Sequence, residues 1–213
     1  MAAPPGAGAR CPRCALRLQG GVQHCAACLA DPRAFCRTVA AFDYAPPGDT
    51  LILMLKTQLR LSMAPVLARL MAQAVWTAAR AAPGAIVPNP RAAGGLPADL
   101  LLIPIPASRA SLRQRGMNPA AEIARCLAVE LALQAPRHVL TRRRETPRQA
   151  TLDRRARQRG AAGLFVCTGS VGGRHVALVD DVMTTGSTVD AAAAALVAAG
   201  AASVMVVVAA RTP

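Results

Sequence analysis

The chain has 213 residues, is 53% hydrophobic and carries a formal net charge of +14. That is enough apolar material for one ordinary domain plus a small module. It excludes a transmembrane helix, because no stretch reaches the roughly 20 apolar residues such a span needs. The run 189–210 comes closest, but Asp190 and Gly200 interrupt it. No apolar signal core precedes Cys11, so a cytoplasmic location is expected. Aromatics are only 2%, so the core must be built from Ala, Val, Leu and Ile. All but one of the 25 basic residues are arginine, in keeping with a codon-biased proteome. The charge fits a polyanionic partner, either nucleic acid or a small substrate with several phosphates, and does not choose between them.

Residues 1–10 read as a disordered start, and 11–37 as a small separate module with little core. The run 38–44 reads as a strand leading into a main domain over 38–213. Segments 49–58 and 62–82 carry apolar residues at helical spacing. The Pro- and Gly-rich stretch 83–98 reads as a surface loop. Residues 99–105 form a short apolar run, read as a strand buried on both faces of a parallel sheet. A helix is expected over 118–134, with Asn118 as N-cap and Pro119 at its first position. Strands are expected over 137–141, 175–179 and 203–209, and a helix over 187–199. The arginine-crowded stretch 142–160 reads as a mobile excursion. The alternation of strands and helices argues for an α/β fold with a largely parallel sheet.

Cys11, Cys14, Cys25 and Cys28 form two CxxC pairs separated by ten residues. Each pair lets two thiolates bind one ion from a tight turn. Two pairs supply a closed tetrahedral site, the arrangement of structural zinc. Gly20 and Gly21 fall where a ribbon hairpin would turn. Cys36, Cys126 and Cys167 have no CxxC partner and read as non-ligands; His24 is a weak substitute ligand. Arg10, Arg13, Arg17, Arg33 and Arg37 surround the ribbon and could contact nucleic-acid phosphates without reading bases.

The most informative segment runs from Val176 to Thr188. An apolar strand ends in Asp180 and Asp181, a hydroxyl-rich turn with Gly186 follows, and a helix begins. In an open parallel sheet, ligands sit beyond the carboxyl ends of the strands. A helix N-terminus suits a phosphate, and Gly186 lets the backbone curl close to the anion. Two carboxylates beside a phosphate need another role. Accepting hydrogen bonds from vicinal ribose hydroxyls and helping to hold Mg²⁺ would fit. Helix capping alone explains one hydroxyl, not two acids followed by four hydroxyls around a glycine. Neither a Walker P-loop nor a GxGxxG dinucleotide pattern is present.

This segment resembles the 5-phosphoribosyl-1-pyrophosphate (PRPP) motif of type I phosphoribosyltransferases. A second segment, Ile103 to Ser108 and Arg109, then Arg113 to Pro119, resembles the ComF family of competence-associated phosphoribosyltransferase-like proteins. The likeness extends to Tyr44, Lys56, Arg144, Thr146, Gln149 and Phe165. Pro119 stands where glutamine is usual, and Gly160 where asparagine is frequent. The resemblance implies a type I phosphoribosyltransferase fold with an N-terminal zinc ribbon. It also implies that Asp180 and Asp181 contact the ribose. Met183, Thr184, Thr185, Gly186, Ser187 and Thr188 then surround the 5-phosphate. Pro106, Ala107 and Ser108 become the pyrophosphate loop, with Arg109 and Arg115 neutralising the diphosphate. Asp180, Asp181, Arg109 and Arg115 are the expected catalytic group. Residues 142–160 correspond to a flexible hood, in which Arg142, Arg143, Arg144 and Arg148 could meet diphosphate or nucleic acid.

Two functions follow as expectations. One is phosphoribosyl transfer from PRPP, with Mg²⁺, to a nitrogen nucleophile. The other is a non-catalytic DNA-processing protein that binds single-stranded DNA and keeps a ribose-phosphate pocket. The resemblance ties both to natural transformation, where a competence helicase-type protein is an expected partner.

Overall fold

The computed structural model describes residues 9–81, 96, 97, 99–143 and 163–213. Four parallel strands form one sheet in the order β1–β6–β5–β2. They are β1 (Arg37–Asp43), β2 (Leu101–Pro104), β5 (His175–Met183) and β6 (Ser203–Arg211). A short antiparallel pair, β3 (Leu140–Arg142) and β4 (Phe165–Cys167), stands apart from it. The helices are α1 (Ala26–Ala30), α2 (Gly48–Lys56), α3 (Met63–Ala81), α4 (Arg109–Arg115), α5 (Pro119–Glu130) and α6 (Ser187–Ala198).

Strand alternation sorts the core onto two faces. Val179, Met205 and Val207 point to one side, where they pack with Leu67, Met71, Ile123 and Leu127 of α3 and α5. Ile103, Leu178, Val206 and Val208 point to the other, where they share a buried cluster with Leu196 of α6 and Phe165 of β4. Cys11, Cys14, Cys25, Cys28 and Phe35 belong to that second cluster. The sheet core is Val, Leu, Ile and Ala, as the scarcity of aromatics requires. This is the expected α/β architecture, a parallel sheet flanked by helices.

Several boundaries differ from the sequence reading. Strand β5 runs on through Asp180 and Asp181 to Met183, because β6 extends to Arg211 and continues the ladder. The expected helix over 118–134 stops at Glu130. Ala132 adopts φ 52° there, and the Leu133 N–H donates to the Ala128 carbonyl, a left-handed helix stop with alanine in the usual glycine position. The strand expected from Arg137 begins at Leu140; Arg137 instead donates its N–H to the Leu102 carbonyl at the sheet edge. Helix α4 had no counterpart in the sequence reading. Arg144, Thr146, Arg148, Gln149 and Gly160 lie outside the described residues, as does nearly all of the loop expected over 83–98. No helix among the described residues is long and apolar enough to cross a membrane.

Candidate ribose-phosphate site

Helix α5, which β2 reaches through α4, packs on one face of the sheet, and α6, which follows β5, packs on the other. Adjacent strands whose connections diverge in this way open a crevice at their carboxyl ends. A cavity of about 630 Å³ lies there. Its walls are the loop after β2 (Ile105 to Ser108), the α4–α5 turn, the acids of β5, Thr188 of α6, Arg142 of β3 and Lys56 of α2.

Local sequence shapes the β2 side. Ser108 caps α4 by accepting the Ser111 N–H at 3.1 Å. Gly116 ends α4 with φ 71°, which permits the reversal into α5. Asn118 works in both directions: its Oδ1 accepts the Ala120 N–H at 3.2 Å, and its Nδ2 donates to the Ile105 carbonyl at 2.9 Å. One side chain therefore caps α5 and ties down the loop that forms the cavity wall.

On the other side, Asp180 and Asp181 both line the cavity. Asp180 accepts the Asp181 N–H at 2.9 Å. Asp181 is buried, accepts the Val182 N–H at 2.7 Å and pairs through Oδ2 with Lys56 Nζ at 2.7 Å. Burial, then the neighbouring Asp181 carboxylate, push the Asp180 carboxyl well above its ordinary range.

The turn after β5 runs from Thr184 to Gly186, which sits at φ 81° as N-cap of α6. A β-carbon there would lie 2.5 Å from Met183 Cε, so a larger residue would strain the left-handed backbone and push the end of the Met183 side chain aside. Thr184 and Thr185 are exposed, and Thr185 Oγ1 lies 3.0 Å from Ser187 Oγ. Backbone amides and hydroxyls are thus gathered at the start of a 12-residue helix, where partial positive charge favours an anion.

Of the residues singled out in the sequence, Pro106, Ala107, Ser108, Arg115, Asp180, Asp181 and Thr188 meet around the cavity. Arg109 is exposed at the start of α4 and stands outside its lining. The Met183 side chain is buried beneath the turn in the second core cluster. Lys56, Ser111 and Gln114 line the cavity without having been assigned a role from sequence. For Lys56 a signal existed, since it is the only lysine in an arginine-biased chain.

The four cysteines form a second site. Their sulfur atoms all lie within 4.8 Å of one another, and all four are buried. The Cys14–Cys25 separation is 3.5 Å. A tetrahedral zinc with Zn–S bonds of about 2.3 Å requires sulfurs roughly 3.8 Å apart, so the donor set fits. Burial pushes the Cys11 thiol up, but surrounding N–H groups outweigh it and bring it down to about 7. Burial, the largest cause, raises the Cys14 and Cys28 thiols.

Comparison with known proteins agrees with this geometry. The model of the phosphoribosyl transferase domain matches residues 111–213. The DNA utilization protein YhgH of Escherichia coli O157:H7 is 35% identical over 179 residues, covering 84% of this chain and 74% of that protein. The protein of the same name from Salmonella typhi is 34% identical over the same span. Competence protein F of Haemophilus influenzae is 31% identical over 183 residues, covering 84% and 75% of the two chains. The chain belongs to the ComF family.

This ComF-family chain has a type I phosphoribosyltransferase fold and, near its N-terminus, a cysteine cluster with the character of a zinc ribbon. Three of the five ribbon arginines are engaged within the chain itself. Arg10 and Arg17 both pair with Asp43, and Arg33 pairs with Asp190. Arg142 stacks over Phe165, 5.6 Å from the ring centroid, at the edge of the cavity.

Proposed function

We propose that the chain binds PRPP, or a closely related ribose phosphate, in the cavity between β2 and β5. From it the chain transfers the phosphoribosyl group to a nitrogen acceptor. The supporting observation is the meeting, around one cavity, of Asp180 and Asp181, Thr188 in the first turn of α6, the loop after β2 and Arg115 at the end of α4. The paired carboxylates accept hydrogen bonds from the vicinal ribose hydroxyls. The turn from Thr184 to Thr188 takes the 5-phosphate through backbone amides and hydroxyls. Arg115 and Arg142 face the diphosphate and stabilise it as the C1–O bond breaks. The acceptor nitrogen bonds to C1 and loses its proton, and pyrophosphate leaves. Lys56 neutralises Asp181, so the site does not present two bare acids to a phosphorylated ligand. Asp180 could help to hold Mg²⁺ alongside substrate oxygens, and the ion would supply further neutralisation of the diphosphate. In the division proposed here, residues 1–37 are the zinc ribbon and 38–213 the phosphoribosyltransferase-like domain.

The test is pyrophosphate release from PRPP and Mg²⁺ across a panel of nitrogen bases. Release that depends on both the base and Asp180 supports transfer. Binding without release for every base refutes transfer while leaving the binding site intact.

A second reading is supported by the names of the relatives, which concern DNA utilization and competence, and by the net charge of +14. In it, the chain handles single-stranded DNA beside a competence helicase-type protein, and the pocket recognises a ribose phosphate. DNA affinity that falls steeply with salt supports this reading, since phosphate neutralisation releases counterions.

A further inference from the structure

Two buried arginines connect the cysteine cluster to the phosphate turn. Arg211, at the end of β6, is 7% exposed. It forms no ion pair among the described residues, and its guanidinium donates only to backbone carbonyls. Nε reaches Cys14 O at 2.9 Å, and Nη1 reaches Met183 O at 3.3 Å and Thr212 O. A buried guanidinium held by carbonyls alone needs a counter-charge. The cysteine whose carbonyl it takes belongs to the cluster that supplies one. Four thiolates around a divalent ion carry a net charge of about −2.

Arg33 makes the second connection. Its side chain is 8% exposed and its Nη1 lies 3.3 Å from Asp190 Oδ2, in the first turn of α6. The Ala34 N–H donates to the other Asp190 oxygen at 2.8 Å. Arg33 Nε is buried without a hydrogen-bond partner among the described residues. Burial works to lower the Arg33 pKa, but the neighbouring Asp190 carboxylate outweighs it. Thr38, also buried, adds a neutral tie: its hydroxyl donates to the Arg13 carbonyl at 2.6 Å and lies 4.0 Å from Met183 Sδ. Met183 and Asp190 bracket the turn from Thr184 to Thr188.

We propose that the cysteine ribbon is a clamp on the phosphate turn. Its metal-loaded thiolates balance the charge of Arg211, Arg33 ties the ribbon to Asp190, and these positioning residues fix the turn at Met183 and Asp190. Metal occupancy then sets the order of the turn and, through it, affinity for a ribose phosphate. The ligand part rests on the function proposed above; the mechanical part does not.

The test uses the full zinc-loaded chain. Arg211→Met keeps the stem and removes the charge. Zinc content, amide hydrogen exchange over 183–190 and calorimetric affinity for PRPP with Mg²⁺ are measured. The variant is expected to retain zinc, to exchange about tenfold faster over 183–190 and to leave α3 and α5 unchanged. PRPP affinity should fall by about tenfold or more. Chelating the zinc from the unaltered chain should accelerate the same segment. Unchanged exchange in a zinc-retaining Arg211→Met protein overturns the clamp. Should that variant fail to fold, Asp190→Asn and Thr38→Val carry the test, and unchanged exchange over 183–190 in both overturns it equally. If the unaltered chain binds no PRPP while exchange responds as described, the clamp stands and the ribose-phosphate reading falls.

Discussion

Lys56 Nζ lies 2.7 Å from Asp181 Oδ2, which joins the last residue of α2 to the acidic end of the central strand β5. The pair lies at the cavity wall beside Asp180. It lowers the negative charge that a phosphorylated ligand meets, while leaving a carboxylate in place to accept hydrogen bonds. Lys56→Met should therefore weaken PRPP binding by roughly 10–100-fold, or about 1.4 kcal/mol per tenfold. Lys56→Arg should recover part of it. Calorimetry on both variants checks this, and Lys56→Met binding at wild-type strength would remove Lys56 from the site.

Asp180 is expected to reduce the stability of the empty protein. Its carboxyl is raised by burial and by Asp181, so the folded chain retains a proton that the unfolded chain releases. That contribution favours folding fully below the ordinary carboxylate value and is lost as pH rises through the raised value. Asp180→Asn should accordingly raise the melting temperature at neutral pH, by about 2–4 °C for each kcal/mol relieved. The gain should vanish toward pH values near 4 or below, where both forms are neutral. The same variant should lose PRPP binding. A lower melting temperature at neutral pH would contradict the assignment.

Gly186 tests the turn. With φ at 81° and Met183 Cε where a β-carbon would stand, Gly186→Ala strains the backbone and displaces a buried methionine. A loss of about 1–3 kcal/mol of stability is expected, together with loss of ribose-phosphate affinity. Chemical denaturation and calorimetry report the two effects separately.

Asn118→Ala removes a helix cap and the tether on the Ile105 carbonyl. The cap contributes about 1 kcal/mol. Because the tether holds the β2 loop, PRPP affinity should drop further than an equal loss of stability elsewhere would cause. A helix-surface variant matched for stability is the control.

Cys14→Ser should abolish zinc binding and cost several kcal/mol of stability, since metal affinity in such clusters is folding free energy. The cysteines are buried in the same core as Ile103 and Val206, so melting of the sheet should shift with the metal. Unfolding followed with and without a chelator measures this.

Local rules made much of this molecule legible. The CxxC spacing, the Asn118-Pro119 helix start and the strand–acid–turn segment each depend on neighbours within a few residues. Helix α4 escaped because it has no buried face; Ser108 and Gly116 define it by its ends alone. The stop at Ala132 escaped because alanine gives no sign of a left-handed residue. Lys56 with Asp181, and Arg211 with Cys14 and Met183, are contacts made by the tertiary fold, beyond the reach of periodicity. Arg109 matches by motif position, and the fold places it at the exposed start of α4, outside the cavity lining.

The most direct measurement is calorimetric titration of the zinc-loaded chain with PRPP and Mg²⁺, beside the Asp180→Asn, Asp181→Asn double variant. Saturable binding in the unaltered chain, lost in the variant while its fold and zinc are kept, is the expected result. Equal binding by both proteins, or by neither, would contradict the ribose-phosphate assignment.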